Sequence, residues 1–274
     1  MKPSLNSIKD KPNFISDESV SMLTVMGSRA YGTETPESDW DFYGVLVPPV
    51  DVVFPHLKGR ITGFGKQVQE FNQSQGQHLE NEGGEFDVTI YNITRYFQLC
   101  MDGNPNMIDS LFTGDSSLVK CDNVGKIIRE NRQLFLSQKC YHTFKGMAFS
   151  HMCRLNNRER IGKRAELINQ YGYDVKDASH IIRLVEELKM ILTQGDLDLK
   201  ANSTLSLGVK QGLWKKEEVV KHFEQSMEML DAMVESQNVS VPYSPDEGAI
   251  KRALEFCLEE KYGNLSNVGY RNLK

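Results

Sequence analysis

Hydrophobic and polar positions follow strand-like patterns in the first third of the chain. Residues 22–26 form a continuous apolar run, which is typical of a strand buried on both faces, and 40–47 is rich in β-forming residues. Residues 85–91 (EFDVTIY) alternate strictly between polar and apolar, which predicts a strand with one buried face. Between these segments the chain is irregular: its best candidate strand is 68–71, and 76–84 is predicted to be an exposed loop.

The periodicity becomes helical after this last strand and stays helical over most of the remaining chain. Apolar residues recur at three- and four-residue spacing, the pattern of an amphipathic helix. We predict helices at 94–101, 107–112, 122–131, 139–156, 158–171, 175–194, 215–236 and 246–261, with connectors at 196–198 and 201–212. The chain is therefore expected to be an α+β protein, with a small mixed-sheet domain over 1–125 and an all-helical domain over 126–274.

Composition and charge are those of a globular protein, with 39% hydrophobic residues, 25% charged residues and a net charge of −5. The acidic balance argues against a protein that coats nucleic acid. No apolar run reaches the ~20 residues of a membrane-spanning helix, and the polar N-terminal segment does not resemble a secretion signal. The five cysteines are odd in number and scattered, so we expect free thiols and a cytoplasmic location.

Asp39 and Asp41 are the first candidates for chemistry. They are two residues apart, so on a strand both carboxylates point to the same face while Trp40 and Phe42 point to the other. Two neighbouring carboxylates attract Mg²⁺, which prefers carboxylates, waters and phosphates as ligands. Taken alone, an Asp-x-Asp pair is more often a solvated surface pair than a metal site.

Gly27 and Ser28 follow the first predicted strand directly and begin a helical turn. At such a turn the free backbone N–H groups and a small hydroxyl can receive phosphate oxygens. Glycine also permits close approach of the backbone to a ligand. On its own a Gly-Ser pair is better explained as an ordinary turn.

Asp87 supplies a third carboxylate from the alternating strand. Three acids on two adjacent strands suit a pair of metal ions about 3.5–4 Å apart, one activating an attacking hydroxyl and the other neutralising a triphosphate. Asp87 is then the natural proton acceptor. Glu85 lies on the same face and is the alternative for that role.

These elements together resemble the polymerase-beta nucleotidyltransferase superfamily. Its signature is a Gly-Ser pair, a spacer, a D-x-D between hydrophobic residues and a later third acid, all present here in that order. One branch is more similar still, the predicted nucleotidyltransferases linked in some bacteria and phages with RNA-repair ligases. That resemblance spans roughly 22–262 and is carried by GSRAYGTETPESDWDFYGV, by FDVTIYNITRYFQL with GNPN after it, and by KDASHIIRLVEELKMIL.

The resemblance implies a nucleotidyltransferase domain that moves a nucleoside monophosphate from an NTP such as ATP to an acceptor hydroxyl, with two Mg²⁺ or Mn²⁺ ions. It implies catalytic and metal-binding roles for Asp39, Asp41 and Asp87. Nucleotide binding is assigned to Gly27, Ser28, Arg29, Lys145, His180 and Arg183. The acceptor stays open, because members of the superfamily modify RNA ends, DNA, antibiotics and proteins.

Two similar hexapeptides stand out in the helical half, SHMCRL from residue 150 and SHIIRL from residue 179. In each, His and Arg are three apart and share a helix face, where they can reach phosphate oxygens or a base edge. Chance similarity between two helix surfaces is the alternative. Residues 139–165 also carry seven basic residues against one acid, a local charge of +6 that either steers a polyanion or is a solvated helix face.

We therefore expect a two-metal nucleotidyltransferase whose acceptor is a nucleic acid, with RNA favoured. One alternative is transfer to a small molecule or a protein side chain. Another is a non-catalytic nucleotide- or RNA-binding module of the same fold, disfavoured because all three acids are present. A two-metal nuclease would also need the acids, but it gives no reason for the Gly-Ser pair.

Overall fold

A single mixed sheet is built from five strands of the described chain. The computed structural model of the protein describes residues 2–36, 38–61, 63–65, 70–155 and 161–263. The strands are arranged in the order β3-β4-β2-β1-β5. β2 and β4 are parallel, and every other neighbouring pair is antiparallel. The strands are β1 (Val20–Met26), β2 (Trp40–Leu46), β3 (Gln73–Asn81), β4 (Gly84–Asn92) and β5 (Leu118–Cys121).

Helices account for most of the chain after β4, so the predicted α+β class is confirmed. They are α1 (Gly27–Ala30), α2 (Val50–Val53), α3 (Ile93–Met101), α4 (Pro105–Phe112), α5 (Asn123–Glu130), α6 (Lys139–Leu155), α7 (Lys163–Tyr171), α8 (Val175–Gln194), α9 (Ser203–Lys210), α10 (Lys216–Glu235) and α11 (Glu247–Tyr262). The predicted start of a helix at residue 158 lies outside the described residues. None of the helices within the described ranges has the length and apolar character needed to cross a bilayer.

The segment 76–84, predicted to be an exposed loop, instead contains the second part of β3, through Asn81, and the turn into β4. β3 is a largely polar and exposed edge strand, held by its antiparallel backbone pairing with β4. Its sequence lacks the alternation of a half-buried strand because only a few of its side chains are sheltered. The candidate strand 68–71 lies partly outside the described residues, and its described part, Glu70 and Phe71, precedes β3.

The predicted connector 201–212 contains a helix, α9. Its sequence, STLSLGVK, is rich in residues of low helix propensity, which is why the pattern did not predict it. Ser206 and Val209 are buried, and α9 packs against α8. Tertiary packing therefore stabilises a helix that local propensity alone does not favour.

The two faces of the sheet are buried differently. Phe42, Phe86 and Val88 belong to a small core on one face, closed by the N-terminal segment. The other face joins a large core that runs through the helices to α11 and draws side chains from both predicted domains. Asp41 and Asp87 lie on this second face, near the beginnings of β2 and β4. The acids therefore lie on the side of the sheet that the helices cover.

Candidate active site

Asp41 and Asp87 are direct neighbours across the parallel strands β2 and β4. Both side chains are half-buried, whereas Asp39 precedes β2 and is exposed. Burial raises the pKa of Asp41 above its usual range, and the negative charges of Asp87 and Asp39 raise it further. The fold thus places Asp41 where the charges of both other predicted acids act on it.

Gly27 lies against Asp41 at the junction of β1 and α1. Its φ of +64° is a left-handed conformation that residues with a side chain rarely adopt. A Cβ on Gly27 would overlap Asp41 Oδ2 and lie 3.2 Å from its Cγ. The predicted close approach at this glycine is therefore an approach to a carboxylate.

Arg29 contacts the end of the loop that joins the Gly-Ser turn to the acids. Its guanidinium donates to the Ser38 carbonyl at 2.8 Å and lies 4.0 Å from the ring centroid of Trp40. Trp40 in turn stacks on Phe42, with ring centroids 5.9 Å apart. Arg29, predicted to bind nucleotide, thus contacts the residues on both sides of Asp39, Ser38 and Trp40.

His78 contacts the site, although no sequence pattern singled it out. It lies in a register shift between Gly76 and Leu79, and it has a φ of 51°, unusual for a residue with a side chain. Its backbone N–H donates to Asp87 Oδ1 at 2.8 Å, and its ring pairs with Glu85. Glu85, the alternative proton acceptor, is thus engaged by His78, while Asp87 is held through one oxygen.

Arg183 is buried in an ion-pair network. Its Nη1 donates to Asp109 Oδ2 at 2.6 Å and to both carboxylate oxygens of Glu187, at 3.0 and 2.9 Å. Its guanidinium carbon lies 4.1 Å from the ring centroid of Tyr31. The predicted nucleotide-binding arginine therefore contacts the end of the Gly-Ser turn through Tyr31 and hydrogen-bonds two acidic side chains, Asp109 and Glu187.

The two hexapeptides meet where α6 packs against α8. The rings of His151 and His180 lie 4.9 Å apart, and His151 Nδ1 pairs with Asp177 at 2.8 Å. Burial, followed by the charge of Arg183, lowers the pKa of His180 well below 6.5, so its ring is neutral at pH 7. The positive charge of Lys176, one turn earlier on α8, lowers the pKa of both His180 and Asp41.

The basic stretch 139–165 is compensated by acids over its described part. Lys145 Nζ lies 2.6 Å from Asp231 and 2.9 Å from the Tyr141 hydroxyl. Arg158, Arg160 and the side chain of Lys163 lie outside the described residues. The remaining members each lie beside a carboxylate: Lys139 beside Asp102, Arg154 beside Asp177, and Arg164 beside Asp174. The described members therefore do not form an uncompensated cationic surface.

Lys176 and Lys210 are two cations that sequence reasoning missed: Lys176 interacts electrostatically with Asp41, and Lys210 interacts with Lys176. Lys210 donates to the Thr33 carbonyl at 2.7 Å, in the loop that follows Tyr31. Burial lowers its pKa, and the charge of Lys176 lowers it further. No ion pair to either ammonium is formed among the described residues. Their proximity depends on the packing of α9 against α8, a contact between helices that local sequence patterns do not reveal.

The donor chemistry of the acids fits Mg²⁺. Asp39, Asp41 and Asp87 offer only carboxylate oxygens, and Gly27 leaves the space beside Asp41 free of a side chain. Within the described ranges, however, no three His, Cys, Asp or Glu side chains are arranged so that they could hold a metal ion. Asp41 and Asp87 occupy fixed strand positions, while Asp39 lies outside the strand.

The mixed sheet, the Gly-Ser turn and the neighbouring carboxylates define an α+β protein of the polymerase-beta-like class. Residues 4–237 match the RNA repair pathway DNA polymerase beta family, and the chain belongs to that family. The name of the family refers to an RNA repair pathway and to DNA polymerase beta.

A phage protein is also similar to this chain. It is described as an uncharacterized 38.9 kDa protein from the nrdC-mobD intergenic region of Enterobacteria phage T4. The two are 33% identical over 112 residues, which cover 40% of this chain and 31% of the phage protein. The similarity therefore concerns less than a third of the relative's length.

Proposed function

We propose that the protein transfers a nucleoside monophosphate from an NTP to an acceptor hydroxyl, in a reaction that depends on Mg²⁺ or Mn²⁺. The juxtaposition of Asp41 with Asp87, and of Asp41 with Gly27, is the observation that carries this proposal. Family membership supports the same reaction class.

Asp39, Asp41 and Asp87 would hold the metal ions. When bound, the ions supply Lewis-acid activation of the acceptor hydroxyl and neutralisation of the triphosphate and departing pyrophosphate. Asp87 accepts the proton of the acceptor hydroxyl on Oδ2, since the His78 N–H occupies Oδ1. Gly27 keeps the triphosphate path beside Asp41 open because it carries no side chain there.

Lys176, Lys210 and His180 form the helical side of the nucleotide site in this proposal. The two ammonium groups offset the negative charge that accumulates as pyrophosphate leaves. His180, kept neutral by its surroundings, is suited to hydrogen bonding without adding a charge. Gly27 and Ser28 contribute backbone N–H groups from the sheet side.

An RNA end is our proposed acceptor, supported by the association of the family with RNA repair. The basic stretch 139–165 gives less support than its net charge suggests, because its described members lie beside acids. A small molecule or a protein side chain is the alternative acceptor. The compensation of the basic stretch by acids favours this alternative, so the test includes both classes of acceptor.

The test is incubation with each α-labelled NTP, Mg²⁺ or Mn²⁺, and separate pools of RNA, DNA, small hydroxyl compounds and protein. We expect label in the RNA pool with the wild-type protein and a large loss of that label with Asp41→Asn. Asp198→Asn is the matched control, because the side chain of this exposed aspartate accepts from the Lys200 N–H in its own turn. Equal labelling by wild type and Asp41→Asn would refute the proposal, and label in another pool would reassign the acceptor.

A further inference from the structure

Three elements meet at a buried polar network behind the Gly-Ser turn. Tyr31 directly follows α1, Asp109 lies on α4, and Arg183 lies on α8. The Tyr31 hydroxyl donates to Asp109 Oδ2 at 2.8 Å, and Arg183 donates to the same oxygen at 2.6 Å. Asp109 Oδ2 thus links the end of the Gly-Ser turn to helix α8.

The network is buried throughout. Tyr31 and Arg183 are 7% and 8% exposed, and Asp109 is fully buried. Asp109 Oδ1 and Arg183 Nε have no hydrogen-bond partner among the described residues. Incompletely satisfied buried charges are no more stable than a well-packed apolar cluster of the same volume, so a gain in stability does not account for this arrangement. Its directional bonds do, however, select one placement of the three elements.

That placement matters for the nucleotide site. The same α8 carries Lys176 and His180 on the helical side, while the turn carries Gly27 against Asp41 on the sheet side. A rotation of α8 or a shift of Tyr31 would separate the two sides. The side chain of Tyr31 contacts both Asp109 and Arg183 and so links the two sides.

We propose that Tyr31, Asp109 and Arg183 are positioning residues, which hold the Gly27–Ser28 turn in register with α8 so that phosphate contacts and carboxylates act together. For its effect on turnover, this inference rests on the proposed nucleotidyl transfer. Its effect on the turn itself does not depend on any activity.

Tyr31→Phe tests the inference, with Tyr96→Phe as the matched control. Tyr31→Phe removes the hydroxyl that binds Asp109 and keeps the ring under Arg183. Tyr96 is also buried, and its hydroxyl bonds to Ser110 at 2.6 Å instead of to Asp109. The two variants lose one buried hydroxyl each, so we expect similar small falls in Tm.

Turnover and hydrogen exchange should separate the two variants. In Tyr31→Phe we expect kcat to fall by about tenfold or more, with a smaller change in KM, because misplacing a bound reactant costs rate. Amide hydrogen exchange over 27–36 should also become faster. Tyr96→Phe should match the wild type in both measurements.

The outcomes distinguish this inference from the proposed function. Exchange over 27–36 that is unchanged in Tyr31→Phe would refute the coupling, whether or not the protein transfers nucleotide. Faster exchange with unchanged turnover would refute the positioning role. If wild type and Asp41→Asn were equally inactive, the proposed function would fail, and the exchange measurement would still decide whether the network holds the turn.

Discussion

Gly27 and Asp41 fit against each other so closely that no larger residue can replace the glycine without moving the carboxylate. A Cβ at this position would overlap Asp41 Oδ2, and the φ of +64° disfavours any side chain. The Gly-Ser signature and the D-x-D signature, ten residues apart in sequence, are therefore two halves of one contact.

Gly27→Ala is expected to abolish transfer through this contact. We expect a loss of stability of about 1–3 kcal/mol from the strained backbone and the overlap, and a displaced Asp41 carboxylate. Label transfer and urea unfolding measure the two effects.

Gly146→Ala is the control. Gly146 lies within α6, where a Cβ meets nothing within 4 Å, so alanine there should raise stability by roughly 0.5–1 kcal/mol without changing activity. Retention of full activity in Gly27→Ala would show that the contact is not needed.

Asp41→Asn should separate stability from activity. It removes one of three neighbouring negative charges in a half-buried setting, so Tm is expected to stay the same or rise. Transfer should fall by roughly 10³-fold, since metal-assisted stabilisation is worth several kcal/mol. Thermal unfolding and labelling of the same preparation check this prediction, and a large fall in Tm would contradict it.

Lys176→Gln and Lys210→Gln should weaken nucleotide binding. Loss of a cation that interacts with phosphate across a partly exposed site is worth about 1 kcal/mol, so we expect KM for the NTP to rise about fivefold in each. Lys189→Gln on the same helix α8 is the control, because Lys189 lies beside Glu186 at 4.0 Å. A KM that rises equally in all three variants would argue against a specific phosphate contact.

Glu187 is predicted to make stability depend on pH. Burial raises its pKa from 4.5 to about 8, with Asp109 adding to the effect and Arg183 opposing it. Between these values the folded protein holds a proton that the unfolded chain releases, so stability falls as pH rises through this range. Glu187→Gln should flatten this dependence of stability on pH. The check is to measure the urea midpoint at about one-unit steps of pH between pH 5 and pH 8.

The neighbouring Glu186 makes stability depend on pH in the opposite direction. Its hydrogen bond with His222 lowers its pKa, so its contribution is present above 4.5 and is lost as pH falls through the lowered value. Glu186→Gln should therefore lower stability near pH 7 and leave the fall between pH 5 and pH 8 in place. Parallel pH profiles for wild type and Glu187→Gln would contradict the assignment to Glu187.

The strongest sequence signals predicted the parts of the fold that depend on buried periodic patterns. The apolar run predicted β1, and the alternation of β4 placed Asp87 on its polar face, where the structure pairs it with Asp41. The polar edge strand β3 escaped prediction because backbone pairing, not side-chain burial, holds it. His78 was missed with it, since its contact with Asp87 exists only through the register shift.

Helical spacing placed His180 and Arg183 on neighbouring positions but did not reveal their partners. Asp109, which binds Arg183, is 74 residues away in sequence, and Lys210 reaches the loop at Thr33 across 177 residues. Such contacts depend on how helices pack on one another, which a period of 3.6 residues does not encode. The same limit explains why a basic stretch looked free although acids such as Asp231 compensate it.

Helix α11 extends the folded core beyond the segment that matches the family. α11 lies beyond the 4–237 segment shared with the family, yet it packs on α5 and α3 and buries Ile250, Cys257 and Leu258 in the large core. Its Tyr262 hydroxyl also donates to the Pro48 carbonyl. A fragment cut at the family boundary would expose an apolar groove to water. Expression trials and crystallisation of this protein should therefore retain the chain through residue 263.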